Sequence, residues 1–147
     1  MLQLQGYLKF ADYPGKQIIC YARLNVLQLR GVARKGNTSC PCCGAGVEDV
    51  EHFLVKCSHP WLGEIRSAHE HTLKRVFADW GDMGEGERVM RLLLLPDPGL
   101  KEEGFRALGA FYEELWTARC SIAEEHAFAR NFGRERRARS AHGKTRK

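Results

Sequence analysis

The stretch that most constrains this chain is TSCPCCGAGVEDVEHFLVKCSHPW, residues 38–61, with four of its six cysteines and two of its six histidines. Cys40 and Cys43 are separated by two residues and followed at once by Gly44. Two thiolates at that spacing in a tight turn can face one ion, and the glycine lets the chain turn back with a φ that other residues avoid. His52 comes eight residues later and Cys57 four after that, giving C-x2-C-x8-H-x4-C. Three thiolates and one imidazole form the tetrahedral donor set that zinc prefers, and soft ligands with no required redox change favour the same ion. Cys40, Cys43, His52 and Cys57 are therefore the expected Zn2+ ligands.

Other uses of these residues fit the spacing less well. The CPCC run could also ligate through Cys42, but Cys42 has no cysteine separated from it by two residues and reads as a bystander thiol. His59 follows Cys57 and precedes Pro60, which breaks the ordered spacing. A thioredoxin-type redox pair sits at a strand-to-helix junction in a βαβ setting, which this sequence lacks. Cys20 and Cys120 each stand alone in apolar helical surroundings and read as core.

Outside this segment the pattern is helical. Residues 17–29 favour a helix, with Ile18, Tyr21, Leu24 and Leu27 recurring every third position and a stop near Gly31 or Gly36. Leu27 and Leu29 also alternate around Gln28 as a strand would. Three apolar stripes follow: Trp61 to Trp80, then Val89 to Leu95, then a long one through Phe105, Leu108, Phe111, Tyr112, Leu115, Trp116 and Ile122. All three read as core packing. The expected fold is mainly α: a small Cys3His zinc-stapled turn, then a helical bundle of about three helices, with a disordered basic tail. The parts are an N-terminal basic helix and linker (1–37), the zinc-binding segment (38–61), the bundle (62–129) and the tail (130–147).

Charge is segregated along the chain. Residues 1–46 carry a net +5, residues 47–129 a net −7 and residues 130–147 a net +7. A positive field at both ends suits a polyanion, so nucleic acid, RNA or DNA, is the expected partner. Arg23, Arg30, Arg34 and Lys35 beside the cluster, and Arg130, Arg134, Arg136, Arg137 and Arg139 in the tail, are the candidate phosphate contacts. Tyr21 and Trp61 offer base stacking but fit the apolar stripes better. No apolar run approaches the roughly 20 residues that span a membrane. The N-terminus lacks a basic leader with an apolar core, so a nuclear or cytoplasmic setting is expected. Glu48, Asp49 and Glu51 suit the capping of a helix N-terminus rather than catalysis. No phosphate loop, Ser/His/Asp arrangement or HExxH occurs, and no enzymatic activity is expected.

The residues also resemble a known family. CPCCGAGVEDVEHFLVKC is similar to the zinc-binding segment that follows the reverse transcriptase domain in many non-long-terminal-repeat retrotransposon proteins. Cys40, Pro41, Cys43, Val47, Glu48, Asp49, His52, Phe53, Leu54 and Cys57 all fall on that pattern. Upstream, YARLNVLQLRGVARKGN resembles the family's helix and linker. Downstream, Ile65 and Arg66 fall where its next helix begins, and FYEELWTARCS resembles its closing Trp-x-x-Arg helix. The polymerase is absent, with no Asp-Asp pair in a strand setting. The resemblance thus implies a tail module that grips nucleic acid and is non-catalytic alone. The alternative is a zinc-stabilised domain that docks a protein partner through its long last helix, about residues 101–128.

Overall fold

A computed structural model describes residues 14–33, 36–94 and 100–142, with side chains placed except at 32–33, 94 and 126–142. Its axis is a helix, α5, running Glu102–His142. Glu102 and Glu103 occupy its first turn, where acids complement the exposed N–H groups. The expected stripe lies inward: Phe105, Leu108, Phe111, Tyr112, Leu115 and Ile122 are buried, together with Ala118, while Trp116 packs against the core's edge.

α3, Pro60–Val76, lies along α5 in the opposite direction, since His69 meets Glu114 at 2.6 Å and Arg75 meets Glu103 at 4.0 Å. Its start is set locally. Pro60 occupies the first turn and the Nδ1 of His59 accepts the Trp61 N–H at 3.3 Å, so His59 caps a helix instead of binding a metal. Leu62, Ile65 and Leu73 are buried, whereas Trp61 stays 43 % exposed. The chain then passes a single 3-10 turn, Trp80–Asp82, into α4, Glu85–Leu94. Phe77 stacks on Trp80, with the guanidinium groups of Arg88 and Arg91 over the two rings. Val89 and Leu92 carry the second stripe inward, Met90 is exposed, and Leu95 lies outside the described residues.

The N-terminal helix is shorter than the periodicity suggests. α1 covers Lys16–Arg23 and ends in a turn where Asn25 takes a left-handed φ of 54°. Asparagine is among the few residues that tolerate this conformation, and the turn stops the helix before Gly31 is reached. The face turned inward is Ile19 and Ala22, leaving Tyr21 (42 % exposed) and Leu24 in solvent. Leu27 and Leu29 are buried on either side of exposed Gln28, so this short piece follows the strand-like alternation, before α2, Arg30–Ala33. α1 sits against α5 where glycine meets glycine: a Cβ at Gly15 would overlap the Gly109 carbonyl. Cys20 packs at the core's edge and Cys120 is likewise half-buried, so neither is a fully enclosed core residue.

The segment expected to form the tail, 130–147, carries the helical backbone of α5 as far as His142. Extending an existing helix through Arg, Glu and Ala adds bonds without a new nucleation step, which is why the composition shift at 130 does not mark the helix end. No described helix is long and apolar enough to cross a membrane.

Fully buried Tyr112 ties α5 to α4 by donating its hydroxyl to the Leu92 carbonyl at 3.1 Å, and burial pushes that hydroxyl's pKa well up. Tyr112→Phe leaves this carbonyl without its donor. The expected outcome is a loss of about 1–3 kcal/mol in urea unfolding with unchanged helical circular dichroism.

Candidate metal centre

Residues 38–57 fold as a knuckle followed by a wide helical turn. The knuckle closes through an antiparallel bridge between Ser39 and Val47, the Gly44 N–H donating to the Cys40 carbonyl at 2.9 Å, and the Cys40 N–H donating to the Gly46 carbonyl at 3.2 Å. Gly44 and Gly46 have φ of 75° and 66°, values that glycine adopts without strain. Asp49 then caps the next turn, its carboxylate accepting the His52 N–H at 2.7 Å, as expected of an acid at a helix start. Glu51 pairs with Lys56 at 3.0 Å instead.

From His52 to Lys56 the backbone is a π-helical turn, closed by the Cys57 N–H donating to the His52 carbonyl at 2.7 Å. This geometry answers a difficulty in the spacing. Residues five apart in an α-helix lie about 140° apart around the axis and face different directions. The wider i→i+5 turn brings the fifth residue back beneath the first, so His52 and Cys57 face the same point.

The four ligand atoms of Cys40, Cys43, His52 and Cys57 all lie within 4.8 Å of one another. The Cys40 and Cys57 Sγ atoms are 3.7 Å apart, and Cys43 Sγ is 3.4 Å from His52 Nε2. Zn–S bonds of about 2.3 Å and Zn–N bonds of about 2.0–2.1 Å at tetrahedral angles place sulfur pairs about 3.8 Å apart and sulfur–nitrogen pairs about 3.6 Å apart. These two separations match those of a tetrahedral ion, and the chain has a Cys3His group that could hold one.

The thiols polarise one another. Cys57 is pulled down to about 4, chiefly by a hydrogen bond from the Cys42 side chain and also by the His59 backbone, against the opposing effect of burial. Burial pushes Cys40 up to about 11, against the backbone N–H groups of Cys43 and Cys42. Cys42 is driven far above the usual thiol value, first by its bond to Cys57 and then by burial. Cys42 is outside the group of four, buried beside it, with its thiol donating to the Arg119 carbonyl at 3.9 Å.

Two arginines hold this centre to the bundle. From α3, Arg66 donates to the carbonyls of Phe53 at 2.9 Å, Leu54 at 2.9 Å and Cys57 at 2.7 Å, the carbonyls that the end of the wide turn leaves open. From α5, Arg119 forms a bidentate pair with Glu48 at 2.7 and 2.8 Å, in which Glu48 is only 1 % exposed. Glu48 also accepts the Arg30 N–H at 2.8 Å, so it caps α2 rather than the turn that follows it. Its carbonyl accepts the Gly31 N–H at 2.9 Å, an approach so close that a Cβ at Gly31 would sit 2.6 Å from that oxygen. Arg119 lies over the Trp116 ring, and Trp116 meets Phe53 edge to face at 5.7 Å.

Of the candidate phosphate contacts, only Arg23 and Arg30 have described side chains. The Arg30 guanidinium donates to the Ser39 carbonyl at 3.3 Å within the knuckle. Arg23 is half-buried, and its charge bears on buried Tyr112. Arg34 and Lys35 lie outside the described residues, as do the side chains of Arg130, Arg134, Arg136, Arg137 and Arg139, whose backbone belongs to α5. No family model matches the chain, and no curated protein or solved structure matches it.

Metal analysis of the purified chain is expected to find a single tightly held zinc ion, lost in Cys40→Ser and His52→Ala and kept in Cys42→Ala. Because the Cys40 proton must leave when the ion binds, affinity rises with pH and falls at least about tenfold per pH unit on acidification from neutral. The buried pair has its own signature. Arg119→Met strands Glu48 and is expected to cost about 3–5 kcal/mol in denaturant unfolding, part of which Glu48→Leu in the same chain restores.

Proposed function

We propose that this protein is a zinc-stapled helical module that binds nucleic acid, akin to the C-terminal part of a retrotransposon reverse transcriptase protein and non-catalytic by itself. The observation that carries the family part of this reading is where the resembling residues fall. Glu48, Arg66, Trp116 and Arg119, which lie on the resembling stretches, are the side chains that fasten the Cys3His knuckle to the bundle. A likeness resting on residues that share one structural task is more specific than one resting on apolar periodicity.

In this reading zinc is structural, since four protein ligands leave no position open for water or substrate. It fixes the turn between the basic N-terminal segment and the acidic bundle. The polyanion contact falls to the C-terminal end of α5. Arg130, Arg134 and Arg137 recur at i, i+4 and i+7 on a helical backbone, which gathers three cationic positions on one face. Such a row neutralises phosphates without reading bases, so affinity is salt-sensitive and independent of sequence.

The test is a salt titration by fluorescence anisotropy with labelled single- and double-stranded RNA and DNA. Binding at low salt is expected, and replacing Arg130, Arg134 and Arg137 with alanine lowers the salt slope on duplex DNA by about 2–3. No binding at low salt to any of the four probes removes this reading and leaves the zinc-stabilised protein-interaction domain.

A further inference from the structure

One groove outside the metal centre has a chemistry that neither the zinc nor the nucleic-acid reading uses. It lies between the Trp80–Asp82 turn and α4 and encloses about 570 Å³. Met83 and Met90 supply its apolar floor, and Met90 is 53 % exposed. Asp79, Asp82, Glu87 and Arg91 line the rest. Arg91 is held by Asp79 at 2.6 Å, which leaves Asp82 and Glu87 to set a negative rim. Flexible thioethers under an acidic rim suit a helix that presents apolar anchors followed by arginines.

The chain itself contains such a helix. Among the described residues the buried stripe of α5 ends at Ile122, yet the helix continues to His142, a further length of about 30 Å. Phe128, Phe132 and Arg136 recur at i, i+4 and i+8 along it, with Arg139 on the same face. Residues 130–147, which include Phe132, Arg136 and Arg139, carry a net +7, against −7 for residues 47–129. It cannot serve its own groove. α4 joins α5 at Tyr112, and an unbroken helix carries Phe128 about 24 Å further along the axis.

We propose that the Met83–Met90 groove receives the C-terminal end of α5 from a second copy of this chain. Each subunit gives one helix and accepts one, so the contact is made twice and closes as a two-fold dimer. This does not depend on the nucleic-acid reading: Arg130, Arg134 and Arg137 fall on the face opposite Phe128 and Phe132, so a chain that binds no nucleic acid can still pair in this way.

Sedimentation equilibrium of the full chain tests it, with helical circular dichroism and zinc content as folding controls. Asp82 is exposed, so Asp82→Arg leaves both controls unchanged. The wild type is expected to be a dimer that loosens as salt rises. Asp82→Arg alone, or Arg136→Glu with Arg139→Glu, raises its dissociation constant by about tenfold or more, and combining the two sets restores pairing. Phe128→Ala with Phe132→Ala loosens it as well. A wild type that stays monomeric across the micromolar range overturns the proposal, as does a dimer indifferent to Asp82→Arg. A dimer weakened by Asp82→Arg but not by the Phe128 and Phe132 changes also overturns it, because the groove then holds something other than this helix.

Discussion

The arrangement turns on a carboxylate taken out of water. Glu48 is almost wholly buried, and a lone charge there would be strongly destabilising. Its oxygens are satisfied by Arg119 from α5 and by the Arg30 N–H at the start of α2. One side chain therefore fixes three things at once: the knuckle, the short helix before it and the long helix far away in sequence. Replacing such a pair with apolar residues can be neutral for stability, so its contribution lies in geometry. It admits one register of the knuckle on α5, the register in which Phe53 meets Trp116.

The metal ligands depend on that register from the other side. The knuckle is small, and much of what it buries is the ligands Cys40 and Cys57 along with Cys42, Val50, Phe53 and Leu54. Three thiolates around a divalent ion leave the centre net negative, and the Arg66 guanidinium lies at its edge on the Cys57 carbonyl. Arg66 both satisfies the open carbonyls of the π-turn and supplies opposite charge. That turn is a wide, uncommon geometry, and it persists because clamp and ligands hold it from opposite ends.

How far the sequence shows this depends on whether the signal is local. The four ligands and the stripe of α5 are legible because each is a fixed spacing along one segment. The helix end at Arg23 is hidden, since the left-handed turn at Asn25 competes with an apolar period that continues past it. Tyr21 and Trp61 occupy stripe positions yet remain exposed, because period fixes a face but not how far the neighbouring helices cover it. The partners of Glu48 and the Phe53–Leu54–Cys57 carbonyls are not legible at all. They come from α5 and α3, and nothing local distinguishes Arg66 or Arg119 from a surface arginine.

The same holds for charge. A count of basic residues treats every arginine as available to phosphate. In the folded chain Arg66 and Arg119 are spent on the knuckle, Arg30 reaches the Ser39 carbonyl, and Arg91 pairs with Asp79. Arg75, Arg106 and Lys56 face acids as well. The described cations of the acidic middle are thus largely engaged within the fold, and phosphate would have to displace those contacts to reach them.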